Sequence, residues 1–522
     1  MNRGFQSTLG RYSYWLMVAA LVLALPFSAT AQVTSSEIRG QVLDQGGNPV
    51  VGATVRIIHV PSGTTRSTTT GASGQFFQGG LRVGGPYNIQ ASAPGHEGMT
   101  VEGLNLAPGS QPPLNLQVVS AEAVDTIRVV GQRIVRGADL NLGVGSTFSA
   151  EDIQNQPSIE RDVIRTLIRD PLAQSSGPNN LSVAGVNPRF NGLAIDGALQ
   201  QDNFGLGSNT YATDRSPINL DIVESATVVA SDYSLTASNF TGGLVNITTK
   251  SGTNEVDGGI YWAYRDDDFV GNSLGGGRRF NPAAFDEEEY GFWLSGPIIK
   301  DKLFFMVSYD EFDATTPVDF ARFDEQNGVD PRIFNELTSI IQQRFGIDAQ
   351  GRPLSASIPE TSERLLVKLD WNINEDHRLS LTYQDNEETG TLGVVSNNFE
   401  SAFYDTPRDV TAYTVQLFSD WTSNFSTTFR FNLVEFERGQ NCRAGPGVGE
   451  LRIRLRPEQL VGTNLEGLLE DDTGQTTFTA GCDRFRHANT FSDERLQLFL
   501  SGDYVVGDHV LTAGVEWEDL ET

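Results

Sequence analysis

From Val256 to the C-terminus, apolar and polar residues alternate with a period of two, and this pattern limits the folds that the second half can adopt. The clearest run has apolar residues at every second position: Leu365, Val367, Leu369 and Trp371. The residues between them are polar or charged, apart from Leu366. Because successive side chains of a β-strand point to opposite faces, each strand then has one apolar and one polar face. A transmembrane barrel with a wet lumen requires such strands, and a soluble β-sandwich also contains them.

The lengths of the connections separate these two folds. Short turns are predicted at 300–301, 374–376, 422–425 and 507–508. The polar stretches between these hairpins are long, at about 266–288, 314–362, 388–409 and 438–492. Outer-membrane barrels alternate short periplasmic turns with long external loops in this way. Residues 255–522 are therefore predicted to form part of a transmembrane antiparallel β-barrel, with about nine strands present.

The N-terminus has the three parts of a secretory signal peptide. Arg3 and Arg11 precede an apolar stretch at 15–25, and the small residues Ala29 and Ala31 mark a cleavage site before Gln32. This pattern predicts a signal peptide over residues 1–31 and an exported mature chain. A short anchoring helix is the alternative, although the apolar stretch is well below the roughly 20 residues that a membrane-spanning helix needs.

The composition is strongly acidic, with 66 Asp and Glu residues against 37 Lys and Arg residues and a net charge of −29. Nucleic acid is therefore excluded as a partner, because phosphate binding needs a basic surface. The acidity is typical of long, solvated loops. A cation-binding role for the clusters at 266–268 and 286–289 is the alternative, although neither cluster has the ligand spacing of an EF-hand loop.

The chain has two cysteines, Cys442 and Cys482, and both lie in the last long polar stretch. In an oxidising compartment a disulfide between them is favoured, and two free thiols are the alternative. His487 is the only histidine near either cysteine, and a structural zinc ion needs four ligands. The sequence therefore predicts no metal site.

Residues 36–118 contain short β-type runs separated by turn sequences such as Gly46-Gly47-Asn48-Pro49. This spacing predicts a small β-sandwich. The runs resemble the carboxypeptidase regulatory-like domain, which in that family is a non-catalytic accessory module. A zinc carboxypeptidase needs clustered His and Glu ligands, and none of the five histidines begins a His-x-x-Glu pair. We therefore predict no enzyme activity and no cofactor.

Residues 146–254 combine helical segments with short strands. Ser149 can cap a helix, and the apolar residues of 159–168 recur at helical spacing. The strands that follow resemble, in the same order, the plug domain of TonB-dependent outer-membrane receptors. The residues that carry the resemblance are Asn191, Asp196, Gly197, Gly242, Gly243, Asn246 and Lys250. Ala184 departs from the family pattern, which often has arginine there, so contacts of that arginine cannot be assumed.

The linker at 119–145 contains one isolated β-prone segment, formed by Asp125, Thr126, Ile127, Arg128, Val129 and Val130. It resembles a TonB box, the segment of these receptors that pairs with the protein TonB. An extended segment with free backbone groups can add a strand to the edge of a partner's sheet. The resemblance therefore implies that TonB, with its inner-membrane energising complex, binds at this segment.

Over the whole mature chain, the motifs resemble the Oar-like subgroup of TonB-dependent receptors. The resemblance implies a mainly β protein of the cell outer membrane, surrounded by outer-membrane lipid, that takes up an unidentified ligand when TonB moves the plug. Such barrels have about 22 strands and a plugged lumen. Because an open barrel edge is not tolerated in lipid, we expect the chain to be a fragment or a truncated product.

Three other functions remain open at the level of sequence. The barrel could serve only as an anchor for a surface or adhesion protein, the chain could be a soluble periplasmic β-protein, or it could be an inactive fragment of a transporter. The ligand is unknown, because no set of residues selects one class of ligand over another. No ligand-binding residues are therefore named.

Overall fold

A computed structural model of the chain describes residues 33–120, 128–130, 143–156, 161–175, 181–204, 211–232, 240–271, 285–320, 324–325, 327–352, 355–470, 474–486, 489–507 and 509–522. The predicted signal peptide and the first half of the candidate TonB box, Asp125 to Ile127, lie outside these residues. A two-sheet domain, a mixed α/β domain and a large antiparallel sheet follow one another along the chain. The mainly β fold class predicted from the sequence is therefore confirmed.

The first domain consists of two sheets that share one hydrophobic core. Its strands are β1 (Ser36–Leu43), β2 (Thr54–His59), β3 (Thr64–Thr69), β4 (Gln75–Leu81), β5 (Gly84–Ala93), β6 (His96–Leu106), β7 (Gly109–Ser110), β8 (Leu114–Gln117), β9 (Val119–Ser120) and β10 (Arg128–Val130). One sheet has the order β4-β1-β7 with β8 also paired to β1, and the other has the order β10-β6-β5-β2-β3 with β9 paired to β6. Val55 and Ile57, which alternate along β2, are buried between the sheets. This domain is the sandwich that the turn spacing predicted.

The second domain, the plug, has a five-stranded sheet with the order β11-β16-β17-β14-β15 and a separate pair β12-β13. Its elements are β11 (Gly143–Ser149), α1 (Ala150–Gln154), α2 (Ile164–Leu167), β12 (Ala173–Ser175), β13 (Leu181–Val183), β14 (Gly192–Ile195), β15 (Ala198–Leu199), β16 (Val223–Asp232) and β17 (Leu244–Thr249). Ser149 caps α1 as predicted, because its Oγ accepts the N–H of Asp152 at 3.3 Å.

The second helix of the plug is shorter than the apolar spacing indicated. Among the residues that the structure describes between 156 and 175, only those of α2 are α-helical, and Arg161 has a positive φ of 49°. The Asp162 carboxylate accepts the N–H of Ile164 at 2.7 Å, so the helix starts there. Val163, Ile164 and Leu167 are still buried, because a single turn is enough to direct them into one core.

The third unit is one antiparallel sheet with the order β18-β19-β20-β21-β22-β23-β24-β28-β29, in which β25 also pairs with β23. Its strands are β18 (Asp257–Asp266), β19 (Asp286–Ile299), β20 (Leu303–Asp319), β21 (Ser355–Asn372), β22 (His377–Leu392), β23 (Tyr404–Thr422), β24 (Phe425–Arg438), β25 (Asn441–Cys442), β28 (Phe491–Val506) and β29 (His509–Glu521). The described chain thus contains the nine long strands that were predicted, joined through the predicted short turns. Within it, β18 and β29 are the two ends of the sheet and do not pair with each other.

Several strands extend further into the polar stretches than predicted. β20 continues to Asp319 and pairs there with Ser355 at the start of β21. The ladder of backbone hydrogen bonds needs no apolar face, so strands can continue beyond the region where hydropathy alternates. The sheet therefore projects beyond its apolar band on the side of the long connections.

The apolar face of this sheet is exposed and its polar face is buried, as a membrane barrel requires. On the apolar face of β21, Trp371 is 46 % exposed, whereas Lys368 and Asp370 on the opposite face are 6 % and 1 % exposed. A soluble sandwich buries its apolar face, and a membrane barrel presents that face to lipid. The polar face is buried because the plug lies against it.

Three of the long connections fold together beyond the ends of the strands, in a unit that we call the external cap. Its elements are α3 (Arg332–Phe345), β26 (Leu451–Leu455), α4 (Pro457–Leu460) and β27 (Thr476–Ala480). The ring of Phe334 contacts those of Phe399 and Phe478, each at 5.3 Å between centroids, and these three residues come from three different connections. Helix α3 contributes Ile333 and Leu337 to the hydrophobic core of this cap. No helix in the described part of the chain is long and apolar enough to cross a membrane.

A disulfide joins Cys442, near the start of the connection that follows β24, to Cys482, which lies just after β27 in the external cap. The two residues are separated by 40 positions in sequence. The linkage therefore closes the longest connection of the sheet on itself.

Candidate functional site between the plug and the barrel wall

The glycines of the plug motif allow one asparagine to fasten two plug segments together. The Asn191 side chain donates through Nδ2 to the carbonyl oxygen of Leu181 at 2.6 Å and accepts the N–H of Gly243 at 2.7 Å. A Cβ at Gly242 would lie 2.6 Å from Asn191 Oδ1, and a Cβ at Gly243 would lie 2.4 Å from the Cβ of Val183. Larger residues therefore cannot occupy these positions without displacing the strands.

Asp196 connects the plug to the barrel wall. Its carboxylate accepts the N–H of Thr249 at 2.9 Å within the plug, and its Oδ2 lies 3.2 Å from Nζ of Lys368 on β21. The hydroxyl of Thr382 on β22 donates to the same oxygen at 3.3 Å. Both Asp196 and Lys368 are buried. The motif residue therefore holds the plug by a charged contact as well as by its turn.

Gly197 follows Asp196 in the same turn, with a positive φ of 84°. Its carbonyl oxygen accepts a hydrogen bond from Nδ2 of Asn432 on β24 at 2.7 Å. A Cβ at this position would lie 2.7 Å from a guanidinium nitrogen of Arg430. The glycine is required both for the backbone conformation and for the close approach of the barrel wall.

A second group of contacts lies nearer the external cap. Arg364 of β21 donates to the carbonyl oxygen of Ser216 at 2.8 Å and to Glu289 at 2.9 Å, and it also pairs with Asp310. Arg215 of the plug pairs with the same Glu289 at 3.0 Å. Charged side chains of the wall therefore hold the upper plug on three neighbouring strands.

Glu388 of the wall binds the same part of the plug by accepting hydrogen bonds from the plug's backbone. The Glu388 carboxylate accepts the N–H groups of Asp214 at 2.6 Å and Arg215 at 3.2 Å. Asp214 also forms an ion pair with Arg408 of β23. Because these groups are polar on both sides, the contact resembles a wet interface more than a hydrophobic core.

Lys250 and Asn246 lie at the exit of the plug. The Lys250 ammonium group lies 4.9 Å from the centroid of the Trp293 ring, and burial lowers its pKa, with Glu224 acting in the opposite direction. Burial likewise raises the pKa of Glu224. Asn246 donates through Nδ2 to the carbonyl oxygen of Val33 at 2.5 Å. The exit strand β17 thus also contacts the segment that precedes β1.

The second half of the candidate TonB box is part of the first domain's sheet. Arg128, Val129 and Val130 form β10, which pairs in parallel with Thr100, Val101 and Glu102 of β6. The segment is extended, as the comparison with a TonB box predicted, and its pairing partner is within the same chain.

Sequence reasoning named the plug residues but missed the wall residues that bind them. Lys368, Arg364 and Glu388 were visible only as members of the polar face of alternating strands. That pattern identifies a lumen-facing side chain, and it gives no information on which plug residue lies opposite. In the described ranges, no group of three or more His, Cys, Asp or Glu side chains is arranged to hold a metal ion.

Parts of the chain are similar to known protein families and to a known transporter. Residues 37–119 match the family of carboxypeptidase regulatory-like domains, and residues 248–322 match an outer membrane beta barrel domain. Over 421 residues the chain is 23 % identical to the TonB-dependent transporter Oar of Myxococcus xanthus, in an alignment that covers 74 % of this chain and 36 % of the relative. The chain thus spans about a third of the length of this curated relative.

The comparison with solved structures finds partial similarity to three outer-membrane proteins. The outer membrane transporter YddB from Escherichia coli has 12 % sequence identity and a TM-score of 0.46, with 72 % of this chain and 47 % of that chain covered. The siderophore receptor PirA from Acinetobacter baumannii has 17 % identity and a TM-score of 0.44, with 73 % and 48 % covered. The ferric enterobactin receptor PfeA from Pseudomonas aeruginosa has 15 % identity and a TM-score of 0.47, with 72 % and 49 % covered.

Proposed function

We propose that this chain, an outer-membrane homologue of the TonB-dependent transporter Oar, takes up a ligand when TonB pulls on the plug. The observation that carries the proposal is that charged pairs join the plug to the wall, beside a small apolar cluster in which Ala198 of the plug packs with Phe436 of the wall. Asp196 with Lys368, and Arg215 with Glu289, join the two by charged groups. Such groups can exchange their partners for water when the plug moves, whereas a hydrophobic core would resist separation.

The topology of the plug supports a pull from its N-terminal side. β11 is an edge strand of the plug sheet, and among the described strands it pairs with β16 alone. Gly143, its first residue, lies opposite Asp232, and Ser149, its last, lies opposite Ser225. A force applied before Gly143 therefore opens this pair from one end, one hydrogen bond at a time. The candidate box lies on that side of β11, in the linker at 119–145.

The box itself is proposed at Asp125 to Val130. Strand addition requires an extended segment that can expose its backbone donors and acceptors. Arg128 to Val130 are extended, and they pair along the edge of a sheet through β6 alone. TonB, acting with its inner-membrane energising complex, would take the place of β6. The ligand is left unnamed, because the lumen and cap do not select a chemical class.

Proline in the candidate box tests this function directly. In the purified full-length receptor, we expect Val129→Pro to weaken binding of the periplasmic domain of TonB by about tenfold or more, because proline removes a backbone donor from the added strand. Val51→Pro is the matched control. Val51 is exposed and precedes Gly52, whose φ is 70°, so proline fits this turn position.

The result separates transport from the other functions. If the wild-type receptor and Val51→Pro bind TonB and Val129→Pro does not, the box assignment is supported. If Val129→Pro binds as tightly as wild type, TonB does not use this segment. If neither the wild type nor the control binds, the proposal of TonB-driven uptake is wrong, and an anchoring or adhesion role is favoured.

A further inference from the structure

We propose that the N-terminal sandwich is a second closure of the barrel, which docks on the end with the short turns and covers the floor of the plug. This inference rests on the proposed function, because closing the barrel has a role only if a ligand passes through it. The docking itself stands on contacts between the sandwich, the plug and the barrel wall.

The first contact joins the sandwich to the end of β23. Arg66 of β3 pairs with Asp420 at 2.8 Å, and Gln78 of β4 donates to the same carboxylate at 3.0 Å. Asp420 lies two residues before the short turn that leads to β24. The side chain of Arg66 is buried by this contact. A surface arginine would stay solvated, so its burial indicates a specific docked position.

The second contact enters the mouth of the barrel. Arg82, in the turn after β4, lies 3.2 Å from Asp370 and donates to Asn372 at 3.1 Å. The side chains of Arg82 and Asp370 are 5 % and 2 % exposed. Arg378 of β22 donates to the carbonyl oxygen of Gly80 at 3.1 Å. Because a buried charge without a partner is strongly destabilising, these pairs define where the sandwich can sit.

The third contact reaches the plug. The N–H of Asn254 donates to the carbonyl oxygen of Pro61 at 2.8 Å. Glu224 of the plug packs against Gly84, where a Cβ would lie 2.1 Å from its carboxylate oxygen. A cavity of about 80 Å³ remains between the three units, with Thr248 of the plug, His59 of the sandwich and Ser380 of the wall among its lining. Residues of the sandwich, the plug and the wall therefore line one small space under the plug.

The interface of the sandwich with the barrel and the plug has the composition of one that can open. It consists mainly of charged and polar groups, whereas the sandwich and the plug each have their own hydrophobic core. Such an interface is typical of units that move relative to one another. Because β10 belongs to the sandwich sheet, residues 131–142 join the sandwich to β11, and a linker of that length can extend over roughly 40 Å. The sandwich can therefore leave the mouth without pulling the plug.

A cysteine pair tests the docked position in the full-length receptor. A Cβ at Gly80 would lie 3.5 Å from the Cβ of Phe418, which is within the range of disulfides. We expect Gly80→Cys/Phe418→Cys to cross-link in outer membranes under mild oxidation. The matched control is Gly95→Cys/Phe418→Cys, because Gly95 also has a positive φ, of 77°, but has no atom within 4 Å of its Cβ position. Equal cross-linking of both pairs, or of neither, would overturn the docking.

Removing one charge tests what holds the sandwich. Asp420→Asn leaves Arg66 without its carboxylate, and we expect the cross-linking rate of the Gly80/Phe418 cysteine pair to fall by about tenfold. Asp409→Asn is the matched control, since Asp409 is an exposed residue on the same strand, near its other end. If the two variants change the rate equally, the Arg66–Asp420 pair does not hold the sandwich.

A covered plug position tests closure. Thr248 is 7 % exposed, and its hydroxyl has no hydrogen-bond partner in the described part of the chain, so Thr248→Cys removes no bond. We expect an impermeant maleimide to label Cys at this position slowly, and about tenfold faster when Asp420→Asn is added. Rapid labelling without Asp420→Asn would mean that the sandwich does not cover the plug.

These measurements need neither ligand nor TonB, so their failure is distinct from failure of the proposed function. If TonB binds but the cysteine pair does not form, the second closure is wrong and uptake stands. If the pair forms but TonB does not bind, the docking stands and TonB-driven uptake falls.

Discussion

The ammonium group of Lys368 lies 3.2 Å from Oδ2 of Asp196 and is also within hydrogen-bond distance of the Thr249 hydroxyl, at 2.9 Å. One lysine of the barrel wall thus fastens the turn and the last strand of the plug. Both charged residues are buried. The plug is therefore held in place by a pair whose members depend on each other, and this dependence can be measured.

We expect Lys368→Met to lower the free energy of unfolding by about 3–5 kcal/mol, because it leaves the Asp196 charge buried without its partner. The double variant Lys368→Met/Asp196→Asn should recover most of the loss. Arg265→Gln is the control, since Arg265 and Glu287 form a half-exposed pair that contributes about 0–1 kcal/mol. Chemical denaturation of the purified receptor measures each change, and equal losses for Lys368→Met and Arg265→Gln would contradict the role of the buried pair.

Gly243→Ala should destabilise the plug by about 1–3 kcal/mol, because its Cβ would overlap the side chain of Val183. Gly447→Ala in the external cap is the matched control, as nothing lies within 4 Å of its Cβ position. Limited proteolysis should then cut the plug of Gly243→Ala faster than that of the wild type. Equal cleavage of both variants would show that the plug accommodates the methyl group.

Acid should destabilise the sandwich through His59. Burial lowers the pKa of His59 to about 3, and the neighbouring Arg82 and Arg378 add to the effect. An unfolded histidine has a pKa of about 6.5. The unfolded state therefore binds the proton first, and stability that is complete above about pH 6.5 falls as the pH decreases toward 3.

Between pH 6.5 and pH 5, this one residue should cost about 2 kcal/mol. Thermal unfolding of the wild type and of His59→Gln at the two pH values measures the loss, which should be smaller in the variant. His96→Gln serves as the control within the same domain. If His59→Gln keeps the full pH dependence, another group is responsible.

The outer face of the sheet carries a row of carboxylates that oppose one another across strands. Glu387 pairs in register with Glu363 on one side and with Asp409 on the other. Since like charges directly opposite each other are destabilising, we expect Glu387→Gln to stabilise the receptor by about 0.2–1 kcal/mol. The gain should shrink at high ionic strength. A melting temperature in detergent that does not rise at low salt would contradict the expectation.

TonB and β6 should compete for the candidate box. A disulfide in Thr100→Cys/Arg128→Cys, two residues that lie opposite each other, should reduce binding of the TonB periplasmic domain, and reduction should restore it. Glu102→Cys/Arg128→Cys is the control, because its two residues are two positions out of register. Undiminished binding by the cross-linked receptor would show that TonB does not need β10 to leave β6.

Features that depend on neighbours in sequence could be predicted from the sequence. The alternation around Trp371 and the short turns predicted the barrel sheet. The Ser149 cap was also correct, because capping depends on residues three positions apart. The plug motif was recognised by its resemblance to a known family, which depends on the order of residues along the chain.

Features that depend on residues distant in sequence could not be predicted. Arg66 and Asp420 are separated by 354 positions in sequence, and no local pattern links them. The same holds for Lys368 and Asp196. The length of α2 was predicted wrongly for a different reason, because apolar spacing indicates which residues enter a core and not how many turns the backbone makes. The extension of β20 to Asp319 was not predicted, because backbone hydrogen bonds between strands produce no pattern in hydropathy.

The linker between the sandwich and β11 gives the molecule a mechanical property of its own. The candidate box lies within it, so a tension applied there is shared between two anchors, the ion pairs at Asp420 and Asp370 and the edge strand that begins at Gly143. The anchor that yields first determines the order of events. Shortening or lengthening the linker on one side of the box would change which of the two anchors bears more of the force. The length of the linker on each side of the box would then determine whether the sandwich or the plug is released first.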